Sequence, residues 1–202
     1  WEQAGGICSA SNGTIISGNL VQDNNFGIIV GNGYYTRSTK DNLVIGNVVQ
    51  NNSYGIFGFM PVNDTISKNY ISKNDFGIQF IGLFGNNTNT INNNLLSDNG
   101  EGILLQAPIP LGATADYDPP QFLQLSSISK NTISENTLRS NGRGVDLWGL
   151  NNNTITKNLI ENSRYAIYLE SSSNNTIFHN NFHNNTNQAW IATSFNAWDD
   201  GY

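Results

Sequence analysis

Apolar residues in this chain stand singly or in short groups, and the intervals between them repeat. In "NTISENTLRSNGRGVDL", Asn131 to Leu147, Ile133, Leu138, Val145 and Leu147 are set apart by Asn, Ser, Thr and Gly, with no sustained helical spacing. Aligning the chain on this stretch gives seven copies, among them "LVIGNVVQNNSYGIFG", "TISKNYISKNDFGIQF" and "TITKNLIENSRYAIYL". Their first asparagines are Asn19, Asn47, Asn69, Asn94, Asn136, Asn158 and Asn180. The steps are 28, 22, 25, 42, 22 and 22, so the base period is 22 residues with insertions after the first, third and fourth copies.

Each copy predicts three short extended pieces separated by Asn and Gly corners. Two-residue hairpin turns are missing, so the pieces do not form a hairpin series. They predict a solenoid of about seven to eight coils in which each strand pairs in parallel with its copy one coil away, about 4.8 Å along the axis. Stacking then lines up the seven asparagines at one corner, each amide donating to the next. A second column runs Asn24, Asn52, Asn74, Asn99, Asn141, Ser163 and Asn185. Gly6, Gly27, Gly55, Gly77, Gly102 and Gly144 form a third, where a side chain is unwelcome; Ala166 and Gln188 relax it. The whole chain, 1–202, reads as one domain with insertion loops at 31–41 and 106–127.

Composition agrees with this picture. Asn occurs 35 times and Gly 20 times, which is poor helix material. A net charge of −6 argues against a nucleic-acid partner, and no apolar run approaches the length of a membrane span. The first residue is Trp1 and the pattern opens in mid-coil at "GGICSA", which predicts a processed chain or a piece of a larger one. Cys8 is the single cysteine, so an internal disulfide is excluded.

The "NTI..N.I..N..GI.L" signature, over roughly residues 6–195, resembles that of right-handed parallel β-helix proteins. The similarity is greatest to the NosD-like, carbohydrate-binding and sugar-hydrolase (CASH) repeat group found on archaeal and bacterial surfaces. It implies an all-β right-handed parallel β-helix and an extracellular or cell-surface location. It does not choose a function, because that fold hosts lyases, hydrolases, adhesins and structural proteins.

Candidate chemistry is sparse. Asp146 is the only acidic residue in its outward column, beside Cys8, Ile29, Phe57, Gln79, Leu104, Tyr168 and Trp190, and general acid–base work needs paired groups. It therefore reads as a solvated surface residue, and no catalytic residue is assigned. The NosD resemblance directs attention to copper, but His179 and His183 fall around an Asn corner, and Met60 and Cys8 belong to other coils; no metal site and no cofactor is expected. The proline-rich insertion "QAPIPLGATADYDPPQFLQLSS" brings Asp116 and Asp118 near Glu101 as calcium-type oxygen ligands, against a reading as solvated loop. Exposed aromatics are the most prominent surface feature: Phe57, Tyr168 and Trp190 in one column, Phe26, Tyr54, Phe76 and Tyr165 in another, with Trp148 nearby. These predict ridges that stack on sugar rings or pack against another subunit. Glycosylation sequons begin at Asn12, Asn51, Asn63, Asn86, Asn152, Asn174 and Asn184.

The leading expectation is an extracellular, non-catalytic structural or adhesive surface protein, a subunit of a filament or surface layer, partnered by copies of itself or by other surface proteins. A carbohydrate-binding or carbohydrate-modifying module is the alternative, and a NosD-like copper accessory protein the second.

Overall fold

The computed structural model describes residues 5–31, 39–83, 87–107 and 127–198. Within them every element is a strand, and the strands form three parallel sheets plus one two-stranded pair. Sheet A has eight strands: Gly5–Ser9, Phe26–Val30, Tyr54–Phe59, Phe76–Ile81, Glu101–Gln106, Arg143–Trp148, Tyr165–Glu170 and Asn187–Ala192. Sheets B and C have seven three-residue strands each, from Ile15–Ser17 to Thr176–Phe178 and from Leu20–Gln22 to Asn181–His183. Each pairs with its copy one coil away, so the protein is a parallel β-helix with three strands per coil.

The register explains the sequence period. In sheet B the middle residue of each strand points inward, giving a buried file that includes Val44, Ile66, Ile91, Ile133 and Ile155; sheet C contributes Val49, Ile71, Leu96, Leu138 and Ile160. Sheet A supplies two inward residues per coil, such as Ile103 with Leu105 and Val145 with Leu147. Where a coil presents Gly58, the larger Phe80 of the next coil fills the space. Burying these files accounts for most of the hydrophobic driving force, at about 1.5–3 kcal/mol per large aliphatic.

Most corners follow one rule. A residue with positive φ is followed at once by a ladder residue, as at Lys68–Asn69, Glu135–Asn136, Lys157–Asn158, Asn51–Asn52 and Ser140–Asn141. The left-handed conformation costs a non-glycine residue about 1–2 kcal/mol. It is offset because the ladder residue's backbone N–H then donates to the side-chain oxygen one coil on, at 2.9–3.0 Å for Asn47, Asn69, Asn94, Asn136 and Asn158. Both expected columns form this way. The structure adds a third, Asn42–Asp64–Asn89–Asn131–Asn153–Asn175–Asn196, at the corner leading into sheet B. The glycine column is a place of close approach: a Cβ on Gly27, Gly55, Gly77, Gly102 or Gly144 would lie 2.5–2.7 Å from the next coil's carbonyl oxygen.

Candidate functional site

The outer face of sheet A gathers the chain's unusual side chains. Parallel register puts Phe26, Tyr54, Phe76, Glu101, Arg143 and Tyr165 in one row. Ile29, Phe57, Gln79, Leu104, Asp146, Tyr168 and Trp190 form the row beside it. Arg143 and Asp146, three residues apart on the strand Arg143–Trp148, meet on this face.

The Arg143 guanidinium is the hub. Its Nη1 donates to Asp146 Oδ2 at 2.5 Å and reaches Glu101 Oε1, one coil back, at 3.5 Å. Its Cζ sits 3.9 Å from the centre of the Tyr168 ring, one coil forward. Tyr168 in turn stacks on Trp190 at 4.1 Å and 9°. A cation and two rings from three consecutive coils thus form one column. Asp146 is not the solvated residue its sequence context suggests: it is only 3 % exposed, under the guanidinium, because the outward strand position beside Leu104 and Tyr168 is covered. The second carboxylate absent from its own column comes from the row before the glycine, as Glu101.

Burial pushes the Asp146 carboxyl up to about 7, against the lowering effect of the Arg143 hydrogen bond, with Glu101 and Glu170 raising it further. Burial also raises Glu101, with Arg143 opposing. Arg143 is held more firmly protonated: burial works against its charge, but the Asp146 hydrogen bond and the attraction of Asp146 and Glu101 outweigh it. Glu101 Oε2 is buried without a hydrogen-bond partner. The site therefore has two carboxyls that hold protons more readily than usual, one fixed cation, and one acceptor oxygen without a donor.

The aromatic ridges exist, and several of their rings stack on one another. Phe26 stacks on Tyr54 at 4.6 Å and 10°, and Tyr54 on Phe76 at 5.2 Å and 6°, with Phe57 edge-on to the first two. Tyr165 meets Tyr168 edge-on. The ring faces are turned along the helix axis onto one another, so Tyr54 and Tyr168 have no face left for a sugar ring. Trp148, 37 % exposed at the end of its strand, stands in the adjacent row between Gln106 and Glu170.

The remaining expected sites are dispersed. Asn12, Asn51, Asn63, Asn152, Asn174 and Asn184 are all exposed at corners, with Asn152 and Asn174 one coil apart. Asn86, Asp116 and Asp118 lie outside the described residues, as do 32–38 of the first insertion loop and 108–126 of the second; Glu101 spends one oxygen on Arg143. His179 occupies a positive-φ corner and His183 an exposed strand end, 3.9 Å from Glu161. The signal for Arg143 and Glu101 was present in the sequence: they interrupt, at the same position of two successive coils, a column otherwise aromatic from Phe26 to Tyr165.

Residues 1–108 and 81–202 each match the model of the family described as "Periplasmic copper-binding protein (NosD)". The chain belongs to the NosD family. Neither the curated proteins nor the solved structures contain a match to it. The family description raises copper, and the described residues of this NosD-family chain do not fit such a centre. Cys8 lies in the first coil, Met60 two coils further along sheet A, and His179 and His183 in the last coil. Among the described residues no three of His, Cys, Asp and Glu come together as a metal-binding group. No helix in the described residues is long and apolar enough to cross a membrane.

Proposed function

We propose that this chain serves outside the cytoplasm as a structural and adhesive scaffold, and that it holds a polysaccharide along the outer face of sheet A. One observation carries the reading: Glu101, Arg143 and Asp146 lie between two aromatic stacks on consecutive coils, a polar cluster set in an otherwise aromatic face. A repeating scaffold presents a repeating polymer with equivalent positions every coil, and a family described as periplasmic agrees with a place outside the cytoplasm.

The chemistry narrows the ligand. Because the rings are engaged face to face, contact is made through hydroxyls and amines that hydrogen-bond the carboxyls, and through ring edges. Glu101, Asp146 and Glu170 outweigh Arg143, so neutral and amino sugars are favoured over polyuronates, which the acidic strip repels. Titrating the chain with dextran, glycol chitosan and polygalacturonate while following tryptophan emission tests this. Trp148 beside the cluster is expected to respond to one of the first two, and Glu101→Gln is expected to weaken that binding about tenfold, the cost of exchanging a charged acceptor for a neutral one. Emission unchanged by all three polymers would overturn the reading.

A further inference from the structure

The third corner ladder has one member of a different kind. In its other rungs the side-chain amide donates forward: Asn89 Nδ2 to Asn131 Oδ1 at 3.0 Å, Asn153 Nδ2 to Asn175 Oδ1 at 2.9 Å, Asn175 Nδ2 to Asn196 Oδ1 at 2.9 Å. The same amides donate back to a carbonyl, as Asn89 does to Pro61 and Asn175 to Leu150. At Asp64 the nitrogen is replaced by an oxygen. Asp64 Oδ1 plays the ordinary accepting part, taking the Asn42 backbone N–H at 2.8 Å and its Nδ2 at 3.0 Å. The Asp64 backbone N–H donates to Asn89 Oδ1 at 2.9 Å. Oδ2, in the place of the donor, is buried with no partner, in a residue with 0 % exposure.

That place is built for a donor. The ladder's repeat aims Oδ2 at Asn89 Oδ1 ahead and at the backbone carbonyl behind, both acceptors. A carboxylate there would set oxygen against oxygen in a fully buried site, whereas a carboxylic acid would complete the row. We infer that in mildly acid solution Asp64 holds its proton in the folded protein and donates it to Asn89, so that the junction between the strands Thr65–Ser67 and Thr90–Asn92 is a proton-dependent link in the solenoid.

The surroundings favour the same state. Burial is the largest influence and pushes the carboxyl up to about 6, against the two Asn42 hydrogen bonds, and Asp41 on the preceding coil raises it further. The following coil presents Asn87, Thr88 and Asn89, all uncharged, and Asp64's own chain neighbours are Asn63 and Thr65. A carboxyl raised in the folded state stabilises fully below its unfolded value of 3.8, and that contribution is lost as pH rises through about 6. Native proton affinity is thus about a hundredfold above the unfolded one.

The test is urea unfolding of the full chain between pH 4 and 8, beside Asp64→Asn, which supplies the missing donor without a titrating group. At pH 8 Asp64→Asn is expected to raise the folded-to-unfolded ratio about tenfold to a hundredfold over the parent, and the gain should shrink as pH falls to 4. Comparing parent and variant at each pH isolates this residue from Asp146 and Glu101. Carbon-13 titration of the Asp64 carboxyl in the parent gives the direct measure, with a midpoint well above the ordinary carboxylate range expected. A variant no more stable than the parent at pH 8, or an ordinary carboxyl midpoint, would overturn the inference.

Discussion

Asn136 is held on every side. Its Oδ1 accepts from the Asn94 backbone and amide, its backbone N–H and Nδ2 both donate to Asn158 Oδ1, and Nδ2 also reaches the Ile91 carbonyl at 2.9 Å. Removing the amide strands buried groups at about 1–3 kcal/mol each. Asn136→Ala is therefore expected to lower the urea midpoint clearly while polysaccharide titrations of the folded protein stay the same; loss of binding with unchanged stability would refute a purely structural role. At the same scale, the corner grammar accounts for most of the sequons. A positive-φ Asn, a ladder residue and a Thr or Ser that opens the next strand or directly precedes it spell Asn-x-Thr or Asn-x-Ser at Asn51, Asn63, Asn152, Asn174 and Asn184. Folding alone explains their presence, and their exposure is what leaves them open to modification.

Between elements, the glycine column of sheet A leaves no room for a side chain. A Cβ on Gly77 would stand 2.6 Å from the Gly102 oxygen and 3.1 Å from Leu96 Cδ2, and neither backbone nor core can yield cheaply. Gly77→Ala is expected to destabilise by at least about 1–3 kcal/mol in thermal melts, as overpacking does elsewhere; a melt equal to the parent's would show that the strands part more easily than their geometry implies. The elements were legible in the sequence because each coil restates the same inward, outward and corner positions, so seven weak signals add. The cluster around Arg143 shows in the sequence only as two charged residues, 42 apart, that interrupt an aromatic column in successive coils; that they converge with Asp146 takes the folded strands to show. Asp146 was misread for a related reason: counting within its own column missed the row before the glycine. Asp64 was hidden by its chemistry, since an acid beside amides reads as an exposed polar residue until the ladder places it at 0 % exposure.

At the scale of the molecule, three ladders, three sheets and one apolar column make a rod whose faces differ. Sheet C carries exposed charge pairs such as Arg139 with Glu161, at 2.7 Å, which contribute little to stability. Sheet A carries stacked rings and buried carboxyls. This asymmetry is the reason for proposing contact on one face, and NosD-family membership fixes the scaffold without fixing the ligand. The most direct measurement is affinity electrophoresis of the full chain in gels containing dextran or glycol chitosan, comparing Glu101→Gln on sheet A with Glu161→Gln on sheet C. Both variants remove the same charge. The account predicts that the parent and Glu161→Gln are retarded alike and that Glu101→Gln runs nearly free. Equal retardation of the two variants would contradict the account, because the polymer would then be held elsewhere than at the outer face of sheet A.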